Sequence, residues 1–185
     1  EDIVIGYLGS IGTWYMLDEM LDAFAFWHKH VPNLKLFFLS KLSLEELSPK
    51  LLSRDIPIDS IRLHSTSYDR VPEHLVIFDL GLFFILPVFS KSASSPVKQG
   101  EMLAMGLPVL CNRGVGDTDQ VMEEIDESLL VDDFNAVGYE KVLHVLKDKE
   151  YRESLTPVCK ATANQWFDVN RGIETYHSIY TKLTR

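Results

Sequence analysis

The chain opens with the stretch Ile3-Val4-Ile5-Gly6-Tyr7-Leu8-Gly9-Ser10-Ile11-Gly12-Thr13 after its first two residues. This stretch is an apolar run that passes into a turn containing two glycines. A helical pattern over Trp14–His30 follows it, with apolar residues at Leu17, Met20, Leu21 and Phe24. A strand joined by a short glycine turn to an amphipathic helix is typical of the first βα unit of a parallel sheet. The turn therefore lies at the carboxyl end of a strand, where such sheets bind ligands.

The alternation of short apolar runs with amphipathic segments continues along the chain. We predict strands at Ile3–Leu8, Leu34–Leu39, Ser60–His64, Gly81–Leu86, Pro108–Cys111 and Ser128–Val131. We predict helices at Trp14–His30, Leu44–Leu52, Asp69–Phe78, Pro96–Met105, Val121–Ile125, Ala136–Leu146, Tyr151–Gln165 and Gly172–Leu183. This order indicates an α/β fold, a doubly wound parallel sheet of about six strands and Rossmann-like type, with a C-terminal helical tail.

Composition limits the kinds of partner. The 185 residues carry a formal charge of -9, and 46% of them are hydrophobic, which fits one globular domain over residues 1–185. Without a basic stripe, a nucleic-acid partner is not expected. The most apolar run, Leu80–Phe89, is too short to span a bilayer, so no transmembrane segment is predicted. Cys111 and Cys159 lie far apart, which favours a thiol-retaining compartment. Because the chain opens with Glu1 and enters a strand almost at once, we interpret it as a fragment of a longer polypeptide.

The first loop, Gly9–Thr13, is a candidate anion site. Its two glycines allow a sharp turn, and the start of the following helix offers free N–H groups. Tyr15 stands where the dinucleotide fingerprint has its third glycine, and the loop has no P-loop lysine. Spacing alone leaves phosphate binding and a tight βα turn as alternatives.

The second candidate is the segment from Ser94 to Val109, which reads SSPVKQGEMLAMGLPV. We predict a helix with Ser95 as its N-cap, Pro96 in its first turn and Gly106 just past its end. Lys98 and Glu101 share one face of this helix near its positive end. A carboxylate there suits a vicinal diol such as ribose, and Lys98 suits an attached phosphate. The alternative is an ordinary surface ion pair between the two side chains.

Other residues near the predicted strand ends carry weaker signals. Arg113, in the loop after the fifth strand, is within reach of a phosphate, although a solvated side chain is the simpler interpretation. Asp117 is predicted to cap the helix that follows. The six histidines form no metal-ligand set, and no Ser–His–Asp arrangement is present, so no metal site is predicted.

Taken together, the segments Tyr7–Tyr15 and Ser95–Val109 resemble the C-terminal half of group 1 (family 4) glycosyltransferases of the GT-B fold. The most specific part is the pattern Ser-Pro-x-Lys-x-x-Glu…Ala-x-Gly-x-Pro-Val. Trp166-Phe167 and the following helix are similar to that family's final crossing helix, which would occupy residues 166–185. The resemblance spans nearly the whole chain. It implies one half of a GT-B fold, whose missing N-terminal domain supplies the acceptor site and usually a catalytic His or acid.

The resemblance also implies a function. A domain of this kind binds the nucleotide of a nucleotide-diphosphate sugar, and the intact hexosyltransferase-like enzyme transfers the sugar to an acceptor with retention, as in polysaccharide biosynthesis. This fragment alone would be inactive. Glu101 would hold the ribose hydroxyls with Lys98 near the diphosphate, and these two are the predicted catalytic residues. The predicted donor-binding set is Gly9, Ser10, Ile11, Gly12, Thr13, His64, Ser65, Tyr68, Ser95, Val97, Lys98 and Glu101. No cofactor or metal is expected, because helix N-termini and Lys98 would carry the charge.

Two departures from the family pattern keep alternatives open. Many members have a second glutamate eight positions before the ribose-binding one, and Ala93 stands there instead. Many also have Arg and Lys in the first loop, where this chain has Ser10 and Thr13 or Trp14. The alternatives are a non-catalytic nucleotide- or partner-binding module on the same fold, or a sugar-nucleotide epimerase. The composition favours the cytoplasm, with docking at a membrane surface in the full-length protein.

Overall fold

Strands and helices alternate along residues 1–184, the part of the chain that the computed structural model describes. The strands are β1 (Ile3–Leu8), β2 (Leu34–Leu39), β3 (Ile61–His64), β4 (Leu80–Leu82), β5 (Val109–Asn112) and β6 (Leu130–Val131). The helices are α1 (Leu17–His30), α2 (Leu44–Leu52), α3 (Val71–Leu75), α4 (Val97–Ala104), α5 (Thr118–Glu123), α6 (Ala136–Glu140), α7 (Leu143–Lys147), α8 (Lys149–Phe167) and α9 (Val169–Leu183). Short 3-10 turns occupy Ile58–Ser60, Tyr68–Arg70, Phe89–Lys91 and Glu127–Leu129.

All six strands are parallel and form one sheet in the order β3-β2-β1-β4-β5-β6. Chain order reverses between β1 and β4, which creates a crevice at the carboxyl edge of the sheet. The strands are apolar and their core residues are fully buried, as in Leu34, Leu36 and Phe38 of β2. Such burial is typical of a parallel sheet that helices cover on both faces. The predicted Rossmann-like α/β fold and its helical tail are confirmed.

The fourth strand is shorter than predicted, and the first helix begins later. The sequence predicts a strand over Gly81–Leu86, but β4 ends at Leu82. The next residues pair with the chain before α1, because Phe84 O accepts a hydrogen bond from Met16 N at 3.1 Å and Tyr15 bridges Ile85. Residues 14–16 are therefore held by this pairing and do not join the helix predicted from Trp14, which begins at Leu17.

Three local predictions need correction. The N-cap of α4 is Pro96 rather than Ser95, with no side-chain capping bond. Half of the strand predicted over Ser128–Val131 is a 3-10 turn, which leaves two residues in β6. The helix predicted over Ala136–Leu146 divides into α6 and α7. At the division the Tyr139 carbonyl accepts a hydrogen bond from the Trp27 indole N–H at 2.8 Å, which competes with the helical ladder.

The helical tail packs on the rest of the domain along α8, whose buried side chains include Leu155, Cys159 and Ala163. Where α8 ends, the ring of Phe167 lies against Gly100 of α4, and a Cβ at Gly100 would come 2.6 Å from that ring. Beyond this elbow, none of the side chains of α9 is buried. Its apolar residues remain exposed and include Val169, Ile173, Tyr176, Tyr180 and Leu183. Within residues 1–184, no helix has the length and apolar character to cross a membrane.

Candidate functional site

A cavity of about 590 Å³ opens at the carboxyl edge of the sheet, beside the crevice between β1 and β4. The loops after β1, β2 and β3 contribute to its wall, and the start of α4 completes it. Its volume lies in the range of small-molecule sites. Three lysines, Lys41, Lys91 and Lys98, line the cavity together with a single carboxylate, Glu101. The cavity is therefore basic although the chain as a whole carries a charge of -9.

The cavity brings together seven of the predicted donor-binding residues: Gly9, Ser65, Tyr68, Ser95, Val97, Lys98 and Glu101. The other five, Ser10, Ile11, Gly12, Thr13 and His64, do not line it. The first loop turns away after Gly9, since Ser10 O accepts a hydrogen bond from Tyr7 OH at 2.8 Å. The His64 ring packs on the His74 ring, with 4.6 Å between their centroids.

Lys98 is the most unusual residue of the site because its side chain is buried, with 9% of the residue exposed. Its Nζ donates one hydrogen bond, to Tyr7 OH at 3.1 Å. The same atom lies 4.2 Å from the centre of the Tyr7 ring and 3.7 Å from that of Tyr15. Within the described part of the chain, no carboxylate forms an ion pair with it. The interpretation of Lys98 and Glu101 as a surface ion pair is therefore wrong.

Burial changes the acid–base chemistry of Lys98. Loss of water around the ammonium lowers its pKa from 10.5 to about 7, and the charge of Glu101 offsets this only in part. A buried cation with one neutral acceptor and two aromatic faces still has two N–H groups to offer. These groups fit an anionic oxygen in the cavity.

Gly9 allows close approach to this ammonium. Its φ of +105° is one that side chains disfavour, and an added Cβ would lie 3.3 Å from Lys98 Nζ. The adjacent helix α4 begins with a proline cap, so the first N–H groups of the helix lack a side-chain partner beside the cavity. Backbone donors and an ammonium thus meet at one end of the cavity, a pattern that favours phosphate groups.

Glu101 lies one turn further along α4, half-buried in the cavity wall. It is close to Tyr68 in the loop after β3. Hydrogen bonding of the phenol to the Glu101 carboxylate, and then the charge of that carboxylate, raise the pKa of Tyr68. Tyr68 is 77% exposed, so its ring presents a flat apolar surface at the cavity mouth. A carboxylate beside an exposed aromatic ring suits a nucleoside, whose sugar offers a diol and whose base stacks.

The sequence did not indicate several lining residues. Trp14 lies at the rim with Lys91 Nζ 4.8 Å from its ring centre, and Tyr15, Ser40 and Lys41 also line the cavity. Ser40 and Lys41 follow β2 directly, a position that the doubly wound topology alone marks as part of the ligand-binding edge. The helical pattern misplaces the two aromatic residues, since it predicts them within a helix that begins only at Leu17.

The loop after β5 makes structural contacts instead. Arg113 forms ion pairs with Asp132 and Glu123, each at 2.6 Å, and does not line the cavity. Asp117 occupies the N-cap position of α5, but the predicted capping hydrogen bond is absent. The loop is instead closed by Asp119, whose carboxylate accepts a hydrogen bond from Gly114 N at 3.0 Å. Over residues 1–184, no group of three or more His, Cys, Asp or Glu is arranged to hold a metal ion.

No protein-family model and no curated protein sequence matches this chain. Solved structures do. TarM from S. aureus aligns with 97% of the chain at a TM-score of 0.78 and 10% identity, and sucrose-phosphate synthase from Thermosynechococcus elongatus aligns with 100% at a TM-score of 0.78 and 15% identity. The C-terminal domain of LpcC, a glycosyl transferase group 1 family protein from Francisella tularensis, aligns with 90% of the chain at a TM-score of 0.68 and 14% identity.

These alignments cover different shares of the other chains. They include 35% of TarM and 46% of the synthase, but 87% of the separate LpcC domain. The chain thus spans less than half of the two longer proteins. At these identities the likeness establishes the fold alone. The chain has the fold of one Rossmann-like half of a GT-B glycosyltransferase, as its sequence resemblance implied.

Proposed function

We propose that the cavity binds the nucleoside diphosphate part of a nucleotide sugar. The observation that carries the proposal is Lys98, an ammonium buried in the cavity wall without a carboxylate partner. Burying an unpaired cation is costly, and a bound anion removes that cost. A diphosphate at Lys98, Gly9 and the start of α4 supplies such an anion.

The remaining parts of the ligand follow from this placement. Glu101 lies one helical turn from Lys98, so a ribose attached to the diphosphate presents its two hydroxyls to the carboxylate. The base then extends toward Tyr68 and Ser65. The sugar points the other way, toward Trp14 and Lys91. The structure of S. aureus TarM was determined with UDP, which supports this class of ligand.

We propose further that the domain works as the donor-binding half of a glycosyltransferase. A second domain supplies the acceptor site, and the apolar side of α9 packs against it. Catalysis then relies on positioning the donor and on neutralising the departing diphosphate through Lys98 and the N–H groups of α4. Retention of configuration and a cytoplasmic location belong to the same proposal. Product stereochemistry measured by NMR and fractionation of cells producing the longer polypeptide would test them.

Calorimetric titration with UDP, GDP, ADP and CMP, with and without magnesium, tests the binding step. We expect one diphosphate to bind selectively. Glu101→Ala should weaken it at least tenfold, because hydrogen bonds to a charged group contribute about 1.5–3 kcal/mol. Glu140→Ala, which changes an exposed carboxylate on α6, is the matched control and should bind normally. Equal affinity of Glu101→Ala and the unmodified chain would contradict the ribose assignment.

A non-catalytic nucleotide-binding module is the second candidate, and two features favour it. Ala93 is exposed and offers no carboxylate to a donor sugar, and the turn Ser10–Thr13 has no cation. Turnover of a nucleotide sugar by the longer polypeptide separates the two functions. A transferase releases the nucleoside diphosphate in proportion to the glycosylated acceptor, whereas a binding module retains its ligand unchanged.

A further inference from the structure

The surroundings of Lys98 show how its charge is held when the cavity is empty. Tyr7, from β1, accepts its hydrogen bond and lies against it, and Tyr15 lies against it from the loop before α1. Both rings are neutral and offer only their electron-rich faces. The Tyr7 hydroxyl cannot donate to Lys98 as well, because it donates its own hydrogen bond to Ser10 O at 2.8 Å.

The charged groups around this cage belong to three other elements. Glu101 faces the cavity from α4 without forming an ion pair with Lys98. Lys91 and Lys41, from the turn at Phe89–Lys91 and the loop after β2, line the same cavity and add positive charge. Lys98 thus shares the cavity lining with one carboxylate and two further cations. Burial disfavours its charged form and lowers its pKa to about 7, which the charge of Glu101 offsets only in part.

We propose that Tyr7 and Tyr15 are positioning residues that hold Lys98 between its neutral and charged forms, so that a bound diphosphate draws one proton from solvent onto the amine. The inference rests on the proposed function, since it assumes a diphosphate in this cavity. No covalent bond changes: the neutral amine gains a proton, and the ammonium then pairs with a phosphate oxygen. Affinity and proton uptake are consequently linked.

The linkage has a definite size. With a pKa of about 7, half of the empty sites carry a neutral Lys98 at pH 7, so binding takes up about half a proton there. At pH 8.5 nearly every empty site is neutral, and uptake approaches one proton for each ligand bound. Above the pKa of Lys98, the affinity for the diphosphate therefore falls by up to about tenfold for each unit by which the pH rises.

Titration calorimetry measures this uptake directly. UDP-glucose is the probe, or GDP-mannose if guanine is the preferred base, because its diphosphate does not titrate between pH 6.5 and 8.5. Binding enthalpies in PIPES, HEPES and Tris are plotted against the ionisation enthalpy of each buffer, and the slope gives the number of protons. We expect about half at pH 7 and nearly one at pH 8.5.

Three variants of the chain sharpen the test. Lys98→Arg keeps a permanent charge, so it should bind without proton uptake and with an affinity that does not change with pH. Tyr7→Phe keeps the ring but removes the hydrogen-bond acceptor for the ammonium, so uptake at pH 7 should rise toward one proton. Tyr180→Phe, on the exposed side of α9, is the matched control and should behave like the unmodified chain. If the arginine does not fit, Lys98→Met serves instead and should lose both affinity and proton uptake.

The outcomes separate this inference from the proposed function. Binding without proton uptake in the unmodified chain refutes the inference and leaves the proposed function intact. Uptake that persists in Lys98→Arg or Lys98→Met assigns the proton to another group and also refutes it. Failure of every nucleotide in the panel to bind refutes the proposed function itself.

Discussion

Replacing Lys98 by methionine should stabilise the folded chain, and by an amount that depends on pH. In the unfolded chain Lys98 keeps its proton up to about pH 10.5, whereas in the fold it loses the proton near pH 7. Between these values the unfolded state binds more protons, so the stability of the unmodified chain rises with pH. The lowered pKa of Lys98 therefore costs the folded state roughly 4 kcal/mol at pH 7 and about 2 kcal/mol at pH 9.

Methionine removes the charge and fills similar space, but it loses the hydrogen bond to Tyr7 OH, which contributes about 1 kcal/mol. We therefore expect Lys98→Met to be more stable by about 3 kcal/mol at pH 7 and by about 1 kcal/mol at pH 9. Urea unfolding followed by circular dichroism at both pH values measures the difference. Lys182→Met, at an exposed position on α9, is the control and should change little. A variant that is less stable at pH 7, or a difference that is constant with pH, would refute the reasoning.

Three further predictions concern the scaffold of the site. Gly9→Ala should lower the free energy of unfolding by roughly 1–2 kcal/mol, because φ at this position is +105°. The variant should also fail to bind nucleotide in calorimetry. Normal affinity would show that the backbone conformation at Gly9 is unimportant for binding. Asn112→Ala should lower the unfolding free energy by about 2–4 kcal/mol in urea, since the side chain pairs with both Ile85 N and Ile85 O, and a loss below 1 kcal/mol would contradict this role. Cys111 and Cys159 are buried, and burial raises the pKa of both thiols. A thiol reagent should therefore modify them only after the chain unfolds. Fast modification of the folded chain would show that the thiols are accessible.

Much of the fold is predictable because its signals are local. The runs that became β1 and β2 have the predicted bounds, since each is a continuous apolar segment bordered by turn residues. The end of β4 was not predictable in this way. Phe84 and Ile85 are as apolar as the strand before them, but they pair with residues 14–16 and, at Ile85, with the Asn112 side chain instead of continuing the sheet. These contacts join segments that are far apart in the chain, so the local sequence pattern does not predict them.

The candidate site likewise has features that the sequence pattern predicts and features that depend on long-range contacts. Glu101 and Lys98 stand out in the sequence because three residues separate them on one helix. The burial of Lys98 depends on Tyr7, 91 residues earlier in the chain, and on Tyr15, which the helical pattern assigned to α1. A long-range contact of this kind decides whether a lysine is a solvated surface group or a buried cation. Its spacing from Glu101 is the same in either case.

The elbow between α8 and α9 has a mechanical consequence. Gly100 lies between Lys98 and Glu101 on α4, and the Phe167 ring occupies the space where a side chain at Gly100 would be. Close packing leaves no slack at this point, so a rotation of α9 about the elbow displaces the helical turn that carries both ligand-facing side chains. Movement of the exposed tail is thereby coupled to the cavity wall, with the Phe167 ring as one of the contacts between α8 and α4.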